Sequence, residues 1–394
     1  MVFFGTGVPV GRVDGQPAVL SLSFPVHRAA SPVTGSLITT SKAGARQVKI
    51  RSEVREVAPR PASSVDRPAD PVALAVPFCP PPWLKNPHLQ TLWPVLFRRR
   101  PVLPLVRERL ELADGDFIDL ARVPAAGPSV LVLHGLEGSL HSHYALPLMA
   151  SLRRAGLEPV FMHLRGCSNE PNRLARSYHS GAIEDLAEVL ALLATRGRPV
   201  AAAIGFSLGG NLLLRYLGVH GPAARLRAAV AVSVPFMLSA AAGRLEQGAS
   251  RLYQHYLLGH LKTSYRRKFA LLPSPLRVDL ARIRSLRAWD EQITAPLNGF
   301  AGADDYYARC SCGPVLAGIT TPTLIVHSSD DPFLYPENVP HPDQVGPGVR
   351  LAVQAHGGHV GFVEGQLPWR TASLVDRLAP AFLRGQLIGA ATED

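Results

Sequence analysis

Ile204-Gly205-Phe206-Ser207-Leu208-Gly209-Gly210-Asn211 is the stretch on which the reading of this chain turns. An apolar run over residues 199–204 leads into it, and a helix-like run over 211–217 leads out. Strand, G-x-S-x-G and helix in that order form the context of a nucleophile elbow, a turn that lifts a serine hydroxyl above the end of a sheet. The turn is so sharp that the residues flanking the serine must be small. Gly205 and Gly209 meet that demand, and Gly210 lets the helix lie close to the sheet.

Working outward, residues 129–133, 159–163, 200–204, 228–234, 323–327 and 350–354 read as short apolar strands. Helical patterns over 144–155, 181–195 and 368–382 fall between and after them. Asp114-Gly115, between strand-like runs over 107–112 and 117–122, predicts a hairpin. The alternation predicts an α/β fold with a mostly parallel central sheet flanked by helices. Residues 236–307 interrupt the rhythm with helical, basic sequence after the strand that follows the elbow helix, where a helical cap can be inserted. Residues 1–75, rich in Ser, Thr, Pro and Ala, read as a disordered or weakly ordered tail, leaving 76–394 as the folded domain.

Composition narrows the function. At 47% hydrophobic and 18% charged over 394 residues, the chain can bury a large core. No apolar run reaches about 18 residues, so no membrane-spanning helix is expected. The first residues lack a basic stretch followed by an apolar one, so no signal peptide is expected. Four scattered cysteines (Cys79, Cys167, Cys310, Cys312) suit a reducing, cytoplasmic compartment and read as structural thiols. Net charge is +11, and residues 244–287 carry ten Lys or Arg against two acids. The plain reading of that segment is a solvated helical face, and the sharper one is peripheral contact with an anionic lipid surface or an anionic substrate. No nucleic-acid module, phosphate-binding loop, dinucleotide fingerprint or H-E-x-x-H is present, so no nucleic acid, cofactor or metal is expected.

A serine hydroxyl needs a base within reach, and that base needs an orienting acid. On an α/β sheet of this kind the order along the chain is Ser, acid, His. The sequence supplies His327-Ser328-Ser329-Asp330-Asp331-Pro332-Phe333 after one late strand and Ala355-His356-Gly357-Gly358-His359 after the last. Asp331, directly before Pro332, is the favoured acid, with Asp330 left as a turn residue. His359, beyond the flexible Gly357-Gly358, is the favoured base over His356. Backbone N–H groups must hold a developing oxyanion. Leu208 supplies one, and His134-Gly135-Leu136-Glu137-Gly138 after an early strand supplies the second through Leu136. His134 itself reads as a loop-fixing residue.

These residues make the chain resemble the α/β-hydrolase superfamily, in particular its YheT-like branch (the α/β-hydrolase-4 family), over roughly residues 78–380. Asn86-Pro87-His88-Leu89-Gln90-Thr91, Asp114-Gly115-Asp116-Phe117, Arg165-Gly166-Cys167-Ser168 and Asp305-Tyr306-Tyr307 carry the resemblance alongside the site motifs. Asn169 departs from the glycine common at that place in the branch. The resemblance implies Ser207, Asp331 and His359 as nucleophile, acid and base. It implies a serine esterase acting on acyl esters through an acyl-enzyme, without cofactor. An acyltransferase using an alcohol, or a non-catalytic binding protein on the same fold, are the alternatives.

Overall fold

A computed structural model describes residues 76–368 and 370–389. The tail expected over 1–75 lies outside the described residues. Asn86 caps helix α1 (Pro87–Phe97), its side chain accepting from the N–H groups of His88 and Leu89. The hairpin follows as expected: β1 (Val106–Glu111) pairs antiparallel with β2 (Phe117–Arg122). β3 (Ser129–Leu133), α2 (Ala145–Arg154), β4 (Glu158–Met162), α3 (Ile183–Thr195), β5 (Val200–Phe206), α4 (Leu208–His220) and β6 (Ala228–Val232) then alternate. Between β6 and β7 (Thr323–Ser328) lie the helices α5 (Leu238–Leu245), α6 (Ser250–Phe269), α7 (Leu286–Trp289), α8 (Ala295–Leu297) and α9 (Ala303–Cys310). β8 (Val349–Gln354), the short β9 (Val363–Glu364) and β10 (Ala372–Ser373), and α10 (Leu374–Leu387) complete the described elements.

Eight strands form one sheet in the order β1-β2-β4-β3-β5-β6-β7-β8. β2 runs antiparallel to both neighbours, and every pairing from β4 to β8 is parallel. α3 and α4 cover one face through Leu186, Leu190, Leu213 and Leu217, and α2 and α10 cover the other through Leu148, Leu152, Leu374 and Leu383. Strands covered on both faces must be apolar throughout, and β6 is buried at every position. The parallel arrangement puts the loops after β3, β5, β7 and β8 at one edge of the sheet, where open α/β sheets carry their sites.

One boundary differs from expectation. The last helix begins at Leu374, not near residue 368, and runs to Leu387. The backbone of Ala372 and Ser373 is committed to pairing with Glu364 and Val363. The Ser373 side chain then caps the helix, accepting from the Val375 N–H at 3.3 Å. No described helix is long and apolar enough to cross a membrane.

Candidate active site

β5 delivers Ser207 at its carboxyl end, and α4 starts at the next residue. Ser207 sits at φ 50°, ψ −116°, a conformation that costs a non-glycine residue about 1–3 kcal/mol. Neighbours hold it there: its N–H donates to the Val232 carbonyl at 2.8 Å, and its carbonyl accepts from the Asn211 N–H at 3.0 Å. A Cβ on Gly205 would lie 2.4 Å from the Gly209 carbonyl oxygen, which is the crowding foreseen in the sequence. A Cβ on Gly209 would lie 2.5 Å from the His134 carbonyl oxygen. Gly209 is small so that the loop after β3 can come up to the serine.

The loops after β7 and β8 bring the acid and base candidates together in two separate pairs. His359 Nε2 lies 3.0 Å from Ser207 Oγ, and His359 Nδ1 lies 2.8 Å from Asp331 Oδ2. A carboxylate only accepts, so Nδ1 carries the proton and Nε2 is free to accept from the serine hydroxyl. The Asp331 side chain is 1% exposed, and its other oxygen accepts from the Phe333 N–H at 2.8 Å. The Phe333 ring lies parallel to the His359 imidazole with centroids 4.0 Å apart, fixing the ring's tilt. Asp330 and His356 pair with each other at 3.2 Å, and Asp330 also accepts from the Gly358 N–H. That pair shapes the turn carrying His359.

In the loop after β3, the Gly135 N–H donates to the Tyr144 hydroxyl at 3.0 Å and the Glu137 N–H to the Tyr178 hydroxyl at 2.8 Å. Among the described residues the Leu136 N–H between them has no such partner, and Gly135 lies against the Ser207 side chain. Leu208, the first residue of α4, stands at a helix N-terminus whose first N–H groups are free of intrahelical bonds. The arrangement can hold an oxyanion between two amides. His134 fixes the loop: its Nε2 accepts from the Leu164 N–H at 3.0 Å, and its Nδ1–H donates to the Gly135 carbonyl at 2.7 Å.

A model of the α/β-hydrolase fold matches residues 128–366. A candidate esterase of Escherichia coli K12, YheT, is 46% identical over 299 residues, covering 74% of this chain and 88% of that protein. The chain belongs to the α/β-hydrolase fold family. Phospholipase ABHD3 of Bos taurus is 29% identical over 325 residues, covering 79% of each chain. A yeast monoacylglycerol lipase is 27% identical over 247 residues, covering 60% of this chain and 55% of that protein.

In this α/β-hydrolase, sequence reasoning gave no role to several residues around the site. The Thr91 hydroxyl accepts from the His359 N–H at 2.9 Å and donates to the Pro87 carbonyl. The buried Gln90 amide exchanges two hydrogen bonds with the Val363 backbone, at 3.1 and 2.7 Å, as a strand neighbour would. So the 86–91 motif is a buttress for the His359 loop. Glu137 takes hydrogen bonds from Tyr178 and, across 127 residues of sequence, from Ser264 on α6. α6 is therefore tied to the loop after β3 at one end. At the other, Ser250 donates to the Pro332 carbonyl, beside Asp331, at 2.6 Å. Ser207 and His359 open into a cavity of about 1120 Å³, walled by apolar residues such as Leu245, Leu257, Leu261, Trp289 and Ile293. The Cys310 and Cys312 side chains are buried, and burial pushes the Cys310 thiol up to about 12.

Among the described histidines of this α/β-hydrolase, burial pushes His134 down to about 3 and His143, His179 and His327 to about 4, and lowers His163 as well. Unfolded, each takes up a proton near 6.5. Below that pH the unfolded state binds more protons than the folded one, so stability present above pH 6.5 is lost as pH falls. At pH 5.5 each of the four most strongly lowered groups costs about 1.4 kcal/mol, together about 6 kcal/mol, the scale of a whole domain's stability. The Tm, followed by circular dichroism, is expected to fall steeply from pH 7 to pH 5, and His327→Phe to blunt the fall. A Tm unchanged over that range contradicts it.

Proposed function

We propose that this chain is a serine hydrolase of carboxylic esters, with Ser207 as nucleophile, His359 as general base and acid, and Asp331 as the acid that orients it. The observation that carries the reading is the Ser207–His359–Asp331 hydrogen-bonded row opening onto an apolar cavity. The Ser207 Oγ attacks the ester carbonyl carbon while His359 Nε2 takes the hydroxyl proton. The carbonyl oxygen, now negative, is held by the N–H groups of Leu136 and Leu208. Collapse breaks the ester C–O bond, and His359 returns its proton to the leaving alcohol. Water, deprotonated by His359, then attacks the acyl-serine carbonyl, and the C–Oγ bond breaks as His359 returns the proton to Ser207 Oγ, releasing the carboxylic acid. Relatives named as an esterase, a phospholipase and a monoacylglycerol lipase favour esters with apolar acyl groups, and helices α5–α9 act as the cap that walls the acyl site.

The cavity is as large as the upper end of small-molecule pockets, roughly 300–1,000 Å³. Burying each added CH₂ is worth about 0.8 kcal/mol, close to fourfold in kcat/KM. Along a series of soluble p-nitrophenyl esters from acetate upward, kcat/KM is expected to climb at about that rate per carbon until the cavity is full. A fluorophosphonate is expected to label Ser207. Neither hydrolysis nor labelling would turn the reading to a non-catalytic binding protein.

A further inference from the structure

We propose that the opening of the cavity is a docking surface for an anionic lipid interface, from which an acyl chain passes to Ser207 without crossing water. The proposal rests on the ester-hydrolase reading. Residues that both line the cavity and face solvent mark the opening. Leu92, Val95 and Leu96 come from α1, and Leu252 and Tyr256 from α6. Leu96 is 69% exposed, Leu252 74% and Tyr256 61%. His88 on α1 lies 3.0 Å from the Tyr253 hydroxyl on α6, which brings the two apolar rows side by side. Positions 88, 92, 95 and 96 share one face of α1, and 252 and 256 share one face of α6. Phe97, 59% exposed, and Val102, fully exposed, extend the apolar surface along the chain from α1.

The charge around this surface selects the occupant. Arg99 and Arg100 lie just past the Arg98 C-cap of α1, and Arg251 lies in the first turn of α6 beside Leu252; all three are exposed, and none has an ion-pair partner among the described residues. The exposed ionisable residues lining the cavity are Arg100, His141, Tyr256, His260 and Arg267, with no carboxylate among them. A protein partner could cover an apolar rim, but an apolar rim bordered by Arg99, Arg100 and Arg251, with no exposed carboxylate lining the cavity it leads into, fits the layered chemistry of a lipid surface, anionic heads above hydrocarbon. Arg266, at the far end of α6 and not lining the cavity, is more than 20 Å along the helix from Leu252 at about 1.5 Å per residue. It serves as a control for general positive charge.

The experiment uses the full chain carrying Ser207→Ala, so that binding is read without cleavage and independently of the catalytic reading. Its partition onto vesicles of phosphatidylcholine, with and without phosphatidylglycerol, is measured by flotation. Salt is set at about 0.1 M and about 1 M, where charges are screened beyond about 10 and 3 Å. Binding is expected only to phosphatidylglycerol-containing vesicles and to weaken in high salt. Phe97→Glu and Arg99→Glu, neither lining the cavity, are each expected to reduce it about tenfold, and Arg266→Glu less than threefold. With Ser207 intact, Phe97→Glu and Arg99→Glu are expected to leave p-nitrophenyl acetate hydrolysis unchanged. Equal partition of all variants overturns the proposal, as does a loss confined to Arg266→Glu. A dimer that Phe97→Glu abolishes, with no vesicle binding, assigns the surface to a second copy of this chain instead. If wild type cleaves no ester, the catalytic reading fails while the vesicle result stands on its own.

Discussion

Ser207→Ala is expected to lower kcat toward its best ester by about 10⁵-fold or more, with KM within a few-fold of wild type. The change removes one oxygen. Its Cβ neighbours, the Val232 and Asn211 backbone bonds and the cavity walls do not depend on that oxygen, so substrate still binds and the fold is retained. His359 Nε2 is left without the hydroxyl that it faces at 3.0 Å, and water cannot occupy the acyl-acceptor position with the same aim. Residual turnover, carried by the Leu136 and Leu208 amides and by binding, is expected to stay about 10³–10⁴ above the uncatalysed rate. Steady-state kinetics, with the variant's circular dichroism and Tm as the fold check, reads this directly. A fall below tenfold in a folded variant would remove Ser207 from the role of nucleophile.

Much of this frame is legible in the sequence because it is written locally. Strand and helix periods, the glycines of the elbow and the Asp114-Gly115 hairpin need only near neighbours to be recognised. The placement of Ser207, the Asp330/Asp331 turn and the His356/His359 turn follows, since each terminates a parallel strand. The contacts that aim these groups are long-range and leave no local trace. Thr91 reaches His359 across 268 residues, Gln90 reaches Val363 across 273, and Ser264 reaches Glu137 across 127. The motif holding Gln90 and Thr91 stands out as part of a resemblance, yet nothing in its residue types announces a buttress. Arg165 is similar: its guanidinium sits among Asp114, Asp116 and Asp185, a buried network assembled from the hairpin, the loop after β4 and α3. The misplaced start of the last helix has the same origin, because Ala372 and Ser373 are claimed by a pairing partner that the local pattern does not contain.

Asp331→Asn is expected to lower kcat by about 10⁴-fold, while Asp330→Asn stays within about tenfold of wild type. The sequence offers these two carboxylates side by side, and their geometry separates them. Asp331 is buried and accepts from His359 Nδ1–H at 2.8 Å. An asparagine there can turn its NH₂ toward Nδ1, which favours the tautomer with the proton on Nε2, where the serine proton must go. It also lacks the negative charge that stabilises the imidazolium formed during attack. Asp330 holds His356 and the Gly358 N–H, and an asparagine oxygen can keep the second bond, so the turn beneath His359 survives. His356→Ala is expected to follow Asp330→Asn, and His359→Ala to follow Ser207→Ala. Measured kcat values in the reverse order would move the acid to Asp330. Both substitutions remove one negative charge from the same turn, so a change in net electrostatics would affect them alike. A difference of about a thousandfold between them can come only from which carboxylate the His359 imidazole faces.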